Sequence, residues 1–315
     1  MPRAPAARYD ESPMSLTIAV CLKRNHDTTV GLRLDQAGRG IRAEEAPASR
    51  NPADLAALAC ALALRAHMPG ARVLALAVGP REWEEPLRGA LAAGADEALR
   101  LWNASWPLAR FTGEVDGSAS HTRFVAEAAA EVLRGRVAPL VLAGEASLDG
   151  THGCFGAFLA YALGAAYAHR AVSIELVTGV APQAAPWRVR VKLDRGFTQE
   201  MELISPAVVT VSASAATRSE AGLPAWMASR AARIPLQAPG LSYPAAPPTL
   251  LRAPVPRVKR YSVPDPALDA ESRIRVMVEQ PLSGGGARID AEQGTQAQAD
   301  AVLAMLAERG FWKER

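Results

Sequence analysis

Cysteine is scarce in this chain. Cys21, Cys60 and Cys154 are the only three in 315 residues. They cannot build a disulfide framework, and their spacing fits no zinc motif. That usage points to a reducing compartment, and a cytoplasmic protein is the expectation. Aromatic residues make up 5% of the chain, a poor supply for base-stacking platforms. The net charge is only +3, and no Lys/Arg run tracks a phosphate backbone, so nucleic acid is not the expected partner. No apolar run reaches the ~18 residues of a membrane span. The opening MPRAPAARYDESP lacks an apolar core and carries Asp10 and Glu11. It does not read as a secretory signal, and residues 1–15 are expected to be a disordered leader.

What is present is apolar bulk. The chain is 49% hydrophobic and 21% charged, enough for a large core. Strand and helix patterns alternate. Residues 16–22 (LTIAVCL) read as a buried strand, and Asn51-Pro52 then opens a helix with a good N-cap and proline at the first helical position. Residues 72–78 (RVLALAV) are the next strand, 82–93 a helix closed by Gly94, and 97–102 a short strand. Residues 103–120 are polar and Gly/Ser-bearing and read as a surface insertion; 122–134 form an amphipathic helix. Such alternation implies a parallel sheet with helices on both faces, and ligands there bind at the carboxyl ends of the strands.

Residues 141–156 (VLAGEASLDGTHGCFG) carry the strongest chemical signal. An apolar strand runs into a turn with Gly150, Gly153 and Gly156, and an Ala-rich helix follows. Unpaired amides and the helix dipole at such a junction favour an anion, and glycine lets it come close. A plain structural glycine turn fits the same residues. Ser147, Asp149 and His152 are too close in sequence for a nucleophile and its base, and no G-x-S-x-G elbow is present. His152 and Cys154 alone do not make a metal site.

Beyond residue 165 the rhythm changes. Segments 171–177, 187–193, 199–204 and 207–212 are strand-like with little helix between, a partly antiparallel meander. Residues 236–266 are proline-rich and read as an extended arm. A helix over 297–308 follows. The arm is either a partner-wrapping element or a loose tail.

Taken in order and spacing, six segments resemble one family. They are AVCLKRNHDT (19–28), NPADLAALACAL (51–62), VGPREWEEPLRGALAAGAD (78–96), LVLAGEASLDGTHGCFGAFLAYALG (140–164), LDRGFTQEMELISPAVVTV (193–211) and GLPAWM (222–227). Together they are similar to the β subunit of electron transfer flavoproteins, the ETF-β/FixA family. The resemblance implies an α/β, Rossmann-like sheet of the adenine nucleotide α-hydrolase type, with added antiparallel strands and a C-terminal arm. It implies a nucleotide-binding domain over 16–235, with 236–315 packing on an α subunit. The heterodimer would pass electrons from flavin dehydrogenases to a downstream acceptor, through FAD held mainly by the α subunit. The β chain would do no bond-making chemistry, with no catalytic residue and no metal, and would hold AMP.

The resemblance also assigns positions. Cys21, Asn51 and Val78 fall where the family contacts adenine and ribose, and Gly144 and Asp149 to Phe155 where it contacts phosphate. Here the family's Asp-Gly-Asp-Thr-Ala-Gln-Val-Gly becomes Asp149-Gly150-Thr151-His152-Gly153-Cys154-Phe155-Gly156. Thr151 keeps a hydroxyl and His152 offers a switchable charge. Asn51 reads equally as an N-cap, and the Cys21 side chain as a small buried hydrophobe. Lys23, Arg24 and Thr28 fall in the loop that approaches the α-subunit flavin, or form a solvated loop. Leu223, Pro224, Trp226 and Met227 match the loop that docks on partner dehydrogenases, or start a helix with a buried apolar face. Two other readings stand beside this one: a bifurcating subunit holding its own FAD, and a universal-stress-type nucleotide-binding regulator. The second would lack both the Leu-Pro loop and the arm.

Overall fold

The computed structural model describes residues 16–27, 29–30, 47–112, 119–136, 138–177, 187–215, 221–244, 267–279 and 294–308. Chain contacts divide into two units, Met1–Ala253 and Pro254–Arg315.

The first unit opens with strand β1 (Thr17–Cys21), the short strands β2 (Asn25–His26) and β3 (Ala48–Ser49), and helix α1 (Pro52–Ala66). Strand β4 (Arg72–Val78), a tight turn over Arg81–Trp83, helix α2 (Glu84–Ala93) and strand β5 (Glu97–Leu101) follow. Then come α3 (Ala109–Thr112), α4 (Ala119–Arg134), β6 (Leu140–Gly144) and α5 (Phe155–Leu163). The unit closes with β7 (Ala166–Leu176), β8 (Trp187–Lys192), β9 (Thr198–Leu203), β10 (Ala207–Val211), α6 (Leu223–Ala231) and β11 (Leu236–Gln237). Described helices of the second unit are α7 (Ala270–Glu279) and α8 (Thr295–Glu308). The sequence pattern had announced α8 but not α7. Among the described residues, no helix is long and apolar enough to cross a membrane.

Nine strands form one sheet in the order β11-β5-β4-β1-β6-β10-β7-β8-β9. All neighbours pair in parallel except β7–β8 and β8–β9. The fold is the expected α/β, Rossmann-like sheet with an antiparallel extension. Strand order reverses between β1 and β6. The chain builds outward through β4 and β5, then crosses to the far side of β1. Such a reversal opens a crevice at the strand carboxyl ends.

Both faces are covered. Side chains alternate along each strand, so Val20, Val73, Ala75 and Leu142 pack beneath α1 and α2. Ala19, Leu74, Leu76 and Val141 pack beneath α4 and α5. Truncating a fully buried leucine such as Leu74 or Leu76 costs about 2–5 kcal/mol.

Three expectations change. Strand β10 belongs to the parallel core, between β6 and β7, rather than to an added meander. The insertion after β5 is not a surface loop: Trp106 and Phe111 are buried within it, while residues 113–118 lie outside the described residues. The proline-rich segment starts on the first unit, where Leu236 and Gln237 pair with Arg100 and Leu101 of β5. The leader 1–15 and most of the arm lie outside the described residues.

Candidate functional site

Helix α1 begins where β1 and β6 end. Asn51 caps it, accepting from the amide of Ala53 at 3.2 Å. Its amide nitrogen donates to the carbonyl of Ala146 at 2.8 Å and to Asp54 Oδ1 at 3.0 Å. Asp54 then joins three elements. Its Oδ1 also accepts from the amide of Gly144 at 3.2 Å, and its Oδ2 from the amide of Lys23 at 3.0 Å. Burial pushes the Asp54 carboxyl up to about 7, against those two amides, the Lys23 charge and the Asn51 side chain. Sequence reading missed Asp54. The signal was present: an acid three residues after an N-cap is the capping-box spacing. Here the acid accepts from the side chain of its own cap and also reaches across to the strand ends.

Two loops are sewn together above these strand ends. Asn25, fully buried, donates to the carbonyl of Lys23 at 3.0 Å and accepts from the amide of Leu148 at 3.1 Å. Lys23 Nζ forms an ion pair with Asp149. Asp149 also accepts from the amides of Gly150 (2.7 Å) and His26 (3.3 Å). Burial raises this carboxyl, but the Lys23 ammonium and the hydrogen bonds outweigh it and hold it below the ordinary carboxylate range.

The glycine-rich turn has its own economy. Ser147 Oγ accepts from the amide of Gly150, and the Ser147 carbonyl from that of Thr151. The amides of His152, Gly153 and Cys154 donate to no protein acceptor among the described residues. They lie just ahead of α5, whose N-cap makes no side-chain capping bond. Gly156 has a different job from the one its place in the turn suggests. A Cβ there would lie 2.2 Å from Thr210 Cγ2 and 3.0 Å from the Tyr167 ring. Its smallness therefore lets α5 seat on β10 and β7 rather than admitting a ligand.

These parts surround one cavity of about 400 Å³ at the reversal of strand order. That volume lies within the range of small-molecule sites. Cys21, Asn51, Val78, Gly144, Asp149, Gly150, His152, Gly153, Cys154 and Phe155 all line it, together with Lys23 and Arg24. Thr151 does not; it is exposed and takes a left-handed φ of 52°. Thr28 lies outside the described residues. The Cys21 thiol is pushed up to about 12, chiefly by burial, so that side chain is an inert apolar wall. Sequence reading also missed Trp83, Phe111, His121 and Val125, which line the same cavity. Phe111 sits in a polar stretch with no periodic signal.

Helix α6 starts at Leu223 with proline in its first turn. Leu223, Trp226 and Met227 are 67%, 42% and 61% exposed. The alternative of a buried apolar face does not hold for them. Trp226 lies under the Arg230 guanidinium, 4.9 Å from the ring centre, and borders a smaller cavity of about 220 Å³ lined by residues of α1 and α2. Among the described residues, no group of three or more His, Cys, Asp or Glu is placed to hold a metal.

Residues 40–239 match the family model of the electron transfer flavoprotein domain. The chain belongs to that family. It is 34% identical to a caffeyl-CoA reductase-Etf complex subunit, CarD of Acetobacterium woodii, over 149 residues, 47% of this chain and 52% of the relative. It is 27% identical to the electron transfer flavoprotein subunit beta of Bradyrhizobium diazoefficiens over 195 residues, 62% and 70%. It is 34% identical to protein FixA of Azorhizobium caulinodans over 148 residues, 47% and 50%. This family member thus spans about half the length of CarD and FixA. Its matched region contains the whole set of cavity residues from Asn51 to Phe155.

Proposed function

We propose that the chain is the β subunit of a heterodimeric electron transfer flavoprotein. It holds AMP in the cavity at the strand ends and pairs with an α subunit that carries most of the FAD site. The pair passes electrons from flavin dehydrogenases to a downstream acceptor. One observation carries the nucleotide part: residues 152–154, whose amides donate to no protein acceptor among the described residues, and an apolar wall border the same cavity, in a chain of this family. An anionic phosphate suits the first and a planar base the second.

The residues fit such a ligand by type. The amides of His152, Gly153 and Cys154 would receive the phosphate, with His152 beside it, while Lys23 neutralises Asp149 instead of leaving a second anion in the wall. The exposed Leu223, Trp226 and Met227 are suited to docking on a dehydrogenase. The proline-rich arm and α8, where Leu303 is exposed, are suited to the α subunit.

A second reading places FAD in the cavity, as in a bifurcating subunit. The similarity to a subunit of a reductase-Etf complex favours keeping it. Co-purification with a candidate α subunit, followed by denaturation and chromatography of the released nucleotides, separates the two. One FAD with one AMP supports the first reading, and two FAD the second. A complex without flavin would sink both.

A further inference from the structure

Aromatic residues form only 5% of the sequence, yet six of them, Trp83, Trp102, Trp106, Phe111, Phe124 and Tyr243, meet in a continuous cluster. Two of them, Trp83 and Phe111, form part of the cavity wall beside Leu76, Val78 and Val125.

Phe111 is held rigidly. Trp106 stacks on it with ring centres 6.0 Å apart and planes 9° from parallel. Trp102, His121 and Trp83 meet it edge-on at 5.0, 4.9 and 6.5 Å. The cluster is in turn pinned by main-chain acceptors: the Trp106 indole donates to the carbonyl of Leu241 at 2.8 Å, and Asn103 to that of Pro239 at 3.0 Å. His121 Nδ1 lies 2.9 Å from the Tyr243 hydroxyl. Trp83 is set by Gly79, where a Cβ would fall 2.4 Å from its ring. A wall fixed from several elements is preorganised, and rigid aromatic edges bordering a cavity suit a flat apolar ligand.

We propose that Phe111 and Trp83 are the ring-binding subsite of this cavity. The planar heteroaromatic ring of a nucleotide, purine or isoalloxazine, lies against them while its phosphate meets the amides at 152–154. This rests on the nucleotide reading above and adds the residues that select the ring. The site is contributed by the insertion after β5 and by the turn after β4.

The test is calorimetric titration of the full chain with AMP, FMN and ribose 5-phosphate, in the native protein and in Phe111→Ala and Phe111→Leu. Loss of a stacked ring lowers affinity by a factor of about five to a hundred and fifty. The expected result is a fall of about tenfold for the preferred ring-bearing ligand in both variants, with ribose 5-phosphate unchanged. That unchanged value also shows that the variants keep the fold. Tighter native binding of AMP identifies a purine, and tighter binding of FMN an isoalloxazine. Equal losses for the ring-bearing and ringless ligands, or no loss, would overturn the subsite while leaving the nucleotide reading intact. Native protein that binds none of the three would overturn both.

Discussion

The amide of Gly144, the last residue of β6, lies 3.2 Å from Asp54 Oδ1 on the first turn of α1. A Cβ on residue 144 would fall 2.3 Å from that oxygen and 2.9 Å from the Asp54 amide. Helix α1 therefore sits where only glycine permits. Gly144→Ala is expected to cost about 1–3 kcal/mol through forced displacement of α1. Urea unfolding of the variant checks this, and an unchanged midpoint would show that α1 is not wedged there.

Asp54 makes stability depend on pH in the opposite sense from Asp149. The Asp54 carboxyl is raised in the folded chain to about 7 from an ordinary 3.8. Its contribution is complete below pH 3.8 and is lost as pH rises through about 7, with a limiting slope of about 1.4 kcal/mol per pH unit. Asp149 is lowered, so its contribution is present above the ordinary carboxylate range and lost as pH falls. Unfolding free energies between pH 5 and 8 should fall less steeply in Asp54→Asn than in the native chain. Parallel profiles would remove Asp54 as the cause.

Arg88 of α2 closes the end of α6. Its Nη1 donates to the carbonyls of Ser229, Arg230 and Ala232 at 2.9, 2.8 and 2.9 Å. Glu84 holds the same guanidinium at 3.1 Å and is itself bonded by the buried Arg100. Arg88→Ala is expected to cost about 1–3 kcal/mol and to speed amide exchange across α6. Arg88→Lys should not restore it, because an ammonium lacks the planar fork. Exchange over 223–231 that matches the native chain would mean that α6 is held by its other contacts.

Leu223 is two-thirds exposed and lines neither the cavity at the strand ends nor the smaller one beside Trp226. Leu223→Asp should leave thermal unfolding within about 0.5 kcal/mol of native. If α6 docks on a dehydrogenase, the same change should weaken that complex at least tenfold, measured by surface-immobilised binding. Undiminished binding would place the docking surface elsewhere.

Local pattern determined the elements that depend on local physics. The buried strand at residues 16–22, the Asn51-Pro52 helix start and the strand 72–78 ending at a turn were legible. So was the placing of Cys21, Val78 and Gly144 at strand ends, because an apolar run, a cap and a turn each leave a short-range mark. That so many of these residues share one cavity was legible through the family resemblance, supported by the rule that ligands bind at the carboxyl ends of parallel strands. Tertiary structure alone decided three matters. β10 entered the core between β6 and β7 because strand order is set by long-range pairing, to which period-two alternation is blind. Asp54 became the junction of α1 with the ends of β1 and β6 because two segments distant from it in sequence bring the amides of Lys23 and Gly144 to one carboxylate. Phe111, isolated in a polar stretch, became part of the cavity wall because Trp102, Trp106 and His121 converge on it. Periodicity tells which side of an element is buried, but only the packed chain decides what lies against it.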